Sequence, residues 1–175
     1  MKNKAFTLTE VLITMGLIGI VAALTMPTLV NLHQDAGIGP MLAKVQATLE
    51  EGIGRTLITN PDFTIPGDTD GIADLKTKIG QHVIMNGDGR LKDGSVVEFA
   101  TPAPTLPSGY TSSATGTSRL LVKVDINGSR EPNKTCIDKF QFALTSYGMV
   151  IPLSCANDIA KNNWKVPADY NPNSY

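Results

Sequence analysis

Few residues of this chain have the type and spacing that catalysis or transition-metal binding requires. Its only cysteines are Cys136 and Cys155, and its only histidines are His33 and His82. The separations between these four residues match no zinc-ligand pattern. The sequence also contains neither a Gly-x-Ser-x-Gly motif nor a glycine-rich phosphate loop. We therefore expect a protein that is not an enzyme and that has no cofactor.

The best oxygen donors for a metal ion are Asp125, Asn127 and Asp138, which share one stretch of the C-terminal part. Together with backbone carbonyls of the intervening loop they could hold a calcium ion. The alternative is an Asx-type turn, in which these side chains accept hydrogen bonds from nearby backbone N–H groups. The turn is the preferred interpretation, and calcium remains the weaker one.

The two cysteines flank a predicted β-hairpin over residues 140–153, close to opposite positions across its open end. A disulfide closing a loop of that size stabilises a protein by roughly 3 kcal/mol in the chain-entropy description. Two buried free thiols are the alternative. A disulfide is typical of exported proteins, so the compartment decides between these two interpretations.

The net charge argues against nucleic acid as a partner. The chain has a formal charge of −1 and 18% charged residues, without a run of Lys or Arg that could follow a phosphate backbone. Its apolar residues are concentrated instead at residues 6–30, where Glu10 is the only charged side chain. About 20 apolar residues suffice for a helix to cross a membrane. Lys2 and Lys4 in front of this segment favour a cytoplasmic N-terminus.

Three interpretations of the apolar segment compete. The first is a secretory signal peptide that is cleaved near Val21-Ala22-Ala23. The second is a plain transmembrane anchor. In the third, a short leader in front of the segment is removed and the apolar segment itself is kept. Glu10 favours the third. A carboxylate within a membrane costs about 2.5–3.5 kcal/mol on insertion scales, which serves no purpose in a discarded signal. In a polymerising anchor the carboxylate can be neutralised by a positive group of a neighbouring subunit.

The sequence Lys-Ala-Phe-Thr-Leu-Thr-Glu-Val-Leu-Ile at residues 4–13 resembles the prepilin N-terminal cleavage and methylation motif. The resemblance implies that a membrane peptidase cuts between Ala5 and Phe6 and N-methylates Phe6. It also implies that Glu10 pairs with the amine of an adjacent subunit and that Pro27 kinks the helix. Ala5 stands where the family usually has glycine.

This resemblance implies a structural subunit of a type IV pilus or of a type II secretion pseudopilus. Its partners would be the prepilin peptidase, other pilin or pseudopilin subunits in a homo- or heteropolymer, and the bacterial inner membrane. The head would be extracytoplasmic, in a periplasmic or cell-surface filament. The alternative is a membrane-tethered or secreted binding protein with a conventional signal or anchor. Some pseudopilins carry calcium in a loop of the head, and residues 124–140 resemble the Asp-x-Asn-Gly loop of prepilin-type proteins, with Glu131 and Cys136 at usual glycine positions.

The predicted fold class is α+β and pilin-like, with a long N-terminal helix packed on a small antiparallel sheet. We expect a leader at 1–5, a transmembrane helix at 6–30, an amphipathic stalk at 31–59 and a β-rich head at 60–175. Glycines and a proline at 37–40 predict an interruption, followed by a helix over about 40–58. Candidate strands lie at 95–99, 120–126, 140–144 and 149–153, the last marked as an edge by Pro152. Residues 101–117 are expected to form a long surface loop.

Overall fold

The computed structural model describes residues 7–128 and 130–175, and within the first helix it leaves out the side chains of residues 26–36. The chain divides into two units, Met1–Gly37 and Ile38–Tyr175. The second, called the C-terminal unit below, contains the sheet and every buried core residue among the side chains that the structure describes.

The first helix, α1, runs from Leu8 to Thr59. Its window Leu8–Thr25 is long and apolar enough to span a membrane, and none of that window is buried. Large apolar side chains in this window have exposed fractions of 41% to 77% and lie at Leu8, Val11, Leu12, Ile13, Met15, Leu17, Ile18, Ile20, Val21 and Leu24. Exposed apolar side chains on a helix of this length suit lipid or a neighbouring subunit.

The predicted interruption at residues 37–40 is wrong, because α1 is helical through these positions. Ile38 and Leu42 on either side are buried, so tertiary packing outweighs the weak helix propensity of glycine and proline. Gly39 has a packing role instead. A Cβ atom built on it would lie 1.8 Å from the backbone carbonyl oxygen of Trp164. The glycine therefore permits close approach of another segment.

Four antiparallel strands form one sheet in the order β1-β2-β3-β4. They are β1 Val96–Ala100, β2 Ser118–Asp125, β3 Lys139–Thr145 and β4 Val150–Pro152. All four predicted strands are confirmed, with ends displaced by one or two residues, and so is the α+β class. β4 is an edge strand, as Pro152 predicted, since proline has no N–H to donate to a further strand.

Three further α-helices belong to the C-terminal unit. Helix α2 spans Asp70–Gly80, α3 spans Ser112–Thr115 and α4 spans Ser154–Lys161, and a 3-10 turn follows at Pro172–Ser174. The sequence predicts a short helix around Ile72–Ile79, which α2 confirms, whereas α3 and α4 were not predicted. Both are short, and in their stretches the apolar periodicity that indicates a helix is weak.

The main core lies between α1 and one face of the sheet. Apolar residues at 42, 45, 49, 53 and 57 recur every three to four residues, which predicts one apolar face of a helix. The structure confirms this face: Leu42, Val45, Leu49 and Ile53 are buried, and Leu57 packs against them. Because strand residues alternate between faces, the sheet contributes Leu120, Val122, Val124, Phe140, Phe142 and Leu144 to this core.

A second, smaller core covers part of the opposite face of the sheet. It is formed by Ala143, Ile151 and Leu153, with Leu106 and Leu121 packed against them. The predicted surface loop at 101–117 is mostly exposed and irregular, apart from the four-residue helix α3. This segment carries α3 and places Leu106 on the sheet, because the apolar residues on this face need a cover.

Candidate functional site

The N-terminal turn of α1 is closed by a reciprocal capping box between Thr7 and Glu10. The Thr7 N–H and hydroxyl both donate to Oε2 of Glu10, each over 2.8 Å. The Glu10 N–H donates back to the Thr7 hydroxyl over 3.3 Å. Val11 donates its N–H to the Thr7 carbonyl, which makes Thr7 the N-cap. Our sequence reasoning missed Thr7, although Thr-x-x-Glu before an apolar run is a recognised signal for this motif.

Glu10 is exposed on a helix whose other side chains in this region are mostly apolar. Its Oε1 atom has no hydrogen-bond partner among the described residues. The hydroxyls of Thr14 and Thr25 donate to backbone carbonyls one turn earlier and do not reach the carboxylate. Within the described residues, the carboxylate thus accepts hydrogen bonds at one of its two oxygens, at the start of an apolar helix.

Comparison with known protein families identifies a motif in this same N-terminal segment. Residues 1–26 match the model of the prokaryotic N-terminal methylation motif. This chain carries the prepilin-type cleavage and methylation signature. The signature marks structural, pilin-type proteins rather than enzymes. Neither a curated protein nor a solved structure matches the chain.

The positions that the methylation motif implies are only partly described. The Ala5–Phe6 junction lies outside the described residues, so cleavage and N-methylation there stay predictions. At Pro27 the backbone is helical, but the side chain is outside the description and the kink stays a prediction. Pairing of Glu10 with another subunit needs a second chain and also stays a prediction.

In the C-terminal unit, Asp138 organises the loop between β2 and β3. It is 2% exposed and accepts hydrogen bonds from the N–H groups of Asn133 and Lys134, each over 2.6 Å. The side-chain amide of Asn127 donates to it over 3.1 Å. Asp125 accepts a hydrogen bond from the Asn127 N–H over 3.2 Å. The bond from Asn127 to Asp125 is that of an Asx turn, and Asp138 caps N–H groups earlier in the same loop.

Calcium binding by Asp125, Asn127 and Asp138 stays a prediction. Both carboxylate oxygens of Asp138 accept hydrogen bonds from N–H donors. A cation would have to displace these donors, because they present positive hydrogen atoms where the ion would sit. Burial raises the pKa of Asp125, the hydrogen bond from Asn127 opposes this, and the charge of Asp138 adds to the rise.

The predicted disulfide is confirmed. Cys136 and Cys155 are bonded, with 5.8 Å between their Cα atoms, and both are buried. The bond joins the loop ordered by Asp138 to the first turn of α4, an element that the sequence did not indicate. The Tyr170 hydroxyl donates to the Cys136 carbonyl over 2.5 Å, so the C-terminal segment is attached to the same loop.

Proposed function

We propose that this chain is a structural subunit of a type IV pilus or a type II secretion pseudopilus. A prepilin peptidase removes residues 1–5 and N-methylates Phe6, and the subunit then polymerises through α1. One observation supports this proposal: the methylation motif at residues 1–26 opens a helix in whose apolar window, Leu8–Thr25, no residue is buried. That surface needs lipid before assembly and neighbouring helices afterwards.

Pairing of Glu10 with a neighbouring subunit sets the axial register between the two helices. Its carboxylate is costly in a membrane, by about 2.5–3.5 kcal/mol on insertion scales. The new amine at Phe6 of a neighbour carries the opposite charge, and N-methylation preserves that charge. In a low-dielectric bundle of helices an unpaired charge is expensive, so pairing favours one axial offset between subunits.

The subunit is a single-pass inner-membrane protein before assembly, with its N-terminus in the cytoplasm and its C-terminal unit outside. Lys2 and Lys4 precede the apolar helix, as expected for a cytoplasmic end. The disulfide supports placement of the C-terminal unit in an oxidising compartment.

The mature N-terminus tests this proposal against a secreted or tethered binding protein. The full chain is expressed with and without a prepilin peptidase, and its N-terminal peptide is identified by mass spectrometry. We expect N-methylated Phe6 with the peptidase and an intact leader without it. Ala5→Gly is the matched control and should give the same product. Cleavage after Ala23, with loss of the apolar helix, would overturn the proposal.

Assembly is tested separately, by imaging sheared filaments. Glu10→Val should leave cleavage at Phe6 intact and reduce incorporation into filaments, because the charge that pairs with the neighbouring amine is gone. Normal incorporation of Glu10→Val would contradict the pairing role.

A further inference from the structure

Residues 162–175, called the C-terminal strap below, follow α4 and lie against the main core. Trp164 and Tyr170 of this strap pack on that core. The carbonyl group of Trp164 approaches α1 at Gly39, where an added Cβ atom would lie 1.8 Å from the carbonyl oxygen. The Tyr170 hydroxyl donates to the Cys136 carbonyl over 2.5 Å. The strap is therefore attached both to α1 and to the loop that carries the disulfide.

Among the described residues, non-glycine residues in the left-handed backbone conformation occur only in the two segments that the disulfide joins. Their φ angles are 51° at Asn133, 63° at Cys136, 45° at Ser154, 54° at Asn163 and 58° at Trp164. Side chains crowd the backbone in this conformation, those of asparagine least, so the surrounding contacts must hold each residue in place. Clusters of such residues are typical of segments that switch between two conformations.

Cys136 is held in this conformation by its backbone and by its side chain. Its N–H donates to the Lys139 carbonyl over 2.8 Å, and its Sγ atom is bonded to Cys155. Because rotation about φ turns the carbonyl of the same residue, the left-handed angle of Cys136 directs that carbonyl to the Tyr170 hydroxyl. The disulfide, the conformation of Cys136 and the attachment of the strap therefore form one connected set of contacts.

We propose that the disulfide between Cys136 and Cys155 is a redox latch for the C-terminal strap. With the bond closed, Cys136 stays in the left-handed conformation and the strap is docked on α1 at Gly39. With the bond open, Cys136 relaxes to a negative φ, its carbonyl turns away from Tyr170 and the strap leaves α1. The sheet keeps its fold in both states, because its ladder of backbone hydrogen bonds does not include the strap.

Closing the latch is a two-electron oxidation by thiol–disulfide exchange. The bond between the two Sγ atoms forms as the disulfide bond of an oxidising dithiol protein breaks. The two thiols of this chain lose two electrons and two protons, and the oxidant is reduced to two thiols. A small dithiol reductant reverses the exchange and becomes a cyclic disulfide. Because thiols stay reduced in the cytoplasm, the strap docks only in an oxidising compartment.

The alternative is that the cross-link only restricts the unfolded chain and stabilises every element of the C-terminal unit alike. Two double variants, both without the disulfide, separate these explanations. Cys136→Gly with Cys155→Ser places glycine where a φ of 63° is required, and glycine adopts this angle freely. Cys136→Ala with Cys155→Ser keeps a Cβ atom that disfavours this angle. The strap should stay docked in the glycine variant and be released in the alanine variant.

Hydrogen exchange of the full chain in detergent micelles, measured by mass spectrometry, compares the C-terminal strap with strand β3. Reducing the wild-type chain with a dithiol should speed exchange in the strap by about tenfold and leave β3 within about twofold of the oxidised chain. The alanine variant should match the reduced chain, and the glycine variant should match the oxidised chain. If the alanine variant does not fold, the reduced wild-type chain takes its place in the comparison.

Three results would overturn the latch: unchanged exchange in the strap after reduction, equally faster exchange in the strap and β3, or equal exchange in the glycine and alanine variants. Tyr170→Phe tests the connection through the Cys136 carbonyl, because it keeps the ring and removes the hydroxyl that donates to that carbonyl. It should speed exchange in the strap with the disulfide closed, and reduction should then add little. Unchanged exchange in the strap of oxidised Tyr170→Phe would also contradict the latch.

Discussion

The carboxylate of Glu50 on α1 accepts a hydrogen bond from the backbone N–H of Val150 on β4, over 3.1 Å. Four residues earlier on the same helix, the Gln46 amide donates to the Val150 carbonyl over 2.8 Å. The two side chains therefore form hydrogen bonds with the outward-facing N–H and carbonyl groups of Val150 in the edge strand. A further strand would otherwise pair with these groups. Pro152 has no N–H to offer, so α1 and proline together close this edge against unwanted strand addition.

Glu50→Ala should destabilise the C-terminal unit by about 1–3 kcal/mol, because it leaves the Val150 N–H without its partner. Urea unfolding of the full chain in detergent micelles, followed by fluorescence of its single tryptophan, Trp164, measures this. Glu51→Ala is the control. Glu51 is exposed, and among the described residues it pairs with Arg55 alone, so its loss should change stability by less than about 0.5 kcal/mol. Equal effects would refute the role of Glu50.

Gly39→Ala should destabilise the protein, although alanine is a better helix former than glycine by about 1 kcal/mol. The new Cβ would lie 1.8 Å from the Trp164 carbonyl oxygen, and a backbone atom cannot move aside cheaply. We expect a loss of about 1–3 kcal/mol. Gly54→Ala is the matched control on the same helix, where nothing lies within 4 Å of the added atom. It should raise the melting temperature, and the same sign at both sites would contradict this account.

Replacing both Cys136 and Cys155 by serine should lower the free energy of unfolding by about 2–4 kcal/mol, because the cross-link restricts the unfolded chain. The sequence separation of 19 residues corresponds to a loop of moderate size. Unfolding curves of the wild-type chain with and without a thiol reductant give the same comparison without mutation. If the reduced chain were as stable as the oxidised one, the disulfide would have no role in stability.

Asp93 should contribute stability that depends on pH. Burial pushes its pKa upward, but hydrogen bonds from Ser95 and the neighbouring Lys44 outweigh burial and hold the pKa below its usual value. A carboxyl group whose pKa is lower in the folded than in the unfolded protein stabilises the folded state above about pH 4. This stabilisation is lost as the pH falls through the pKa of the folded state. Asp93→Asn should therefore lower the melting temperature at pH 7 by a few degrees, and much less near pH 2.

Asp125 should behave in the opposite way. Because its pKa is raised, the ionised Asp125 side chain destabilises the folded state. This destabilisation is complete at pH 7 and disappears below about pH 4, where the carboxyl group is protonated in the unfolded chain as well. Asp125→Asn should raise the melting temperature slightly at pH 7, with the gain vanishing in acid. A loss at pH 7 would show that the hydrogen bond from Asn127 requires the charged acceptor.

The features that the sequence predicted correctly depend on neighbouring residues or on simple counts. The membrane-length helix and the methylation motif lie within a few turns of chain, where hydropathy and spacing are visible directly. The strands follow from alternation, and a single pair of cysteines has one possible intramolecular pairing. The capping residue Thr7 was equally visible in the local pattern and was overlooked.

Tertiary structure alone decided the features that join distant parts of the chain. α1 continues through Gly39, where the Trp164 carbonyl approaches the helix closely. Glycine and proline in the sequence do not reveal that a distant segment packs at this position. Leu106 covers the outer face of the sheet, and Asp138 gathers N–H groups from its loop. Local sequence indicates periodicity and turns, but close packing between distant segments depends on which surfaces meet once the chain has folded.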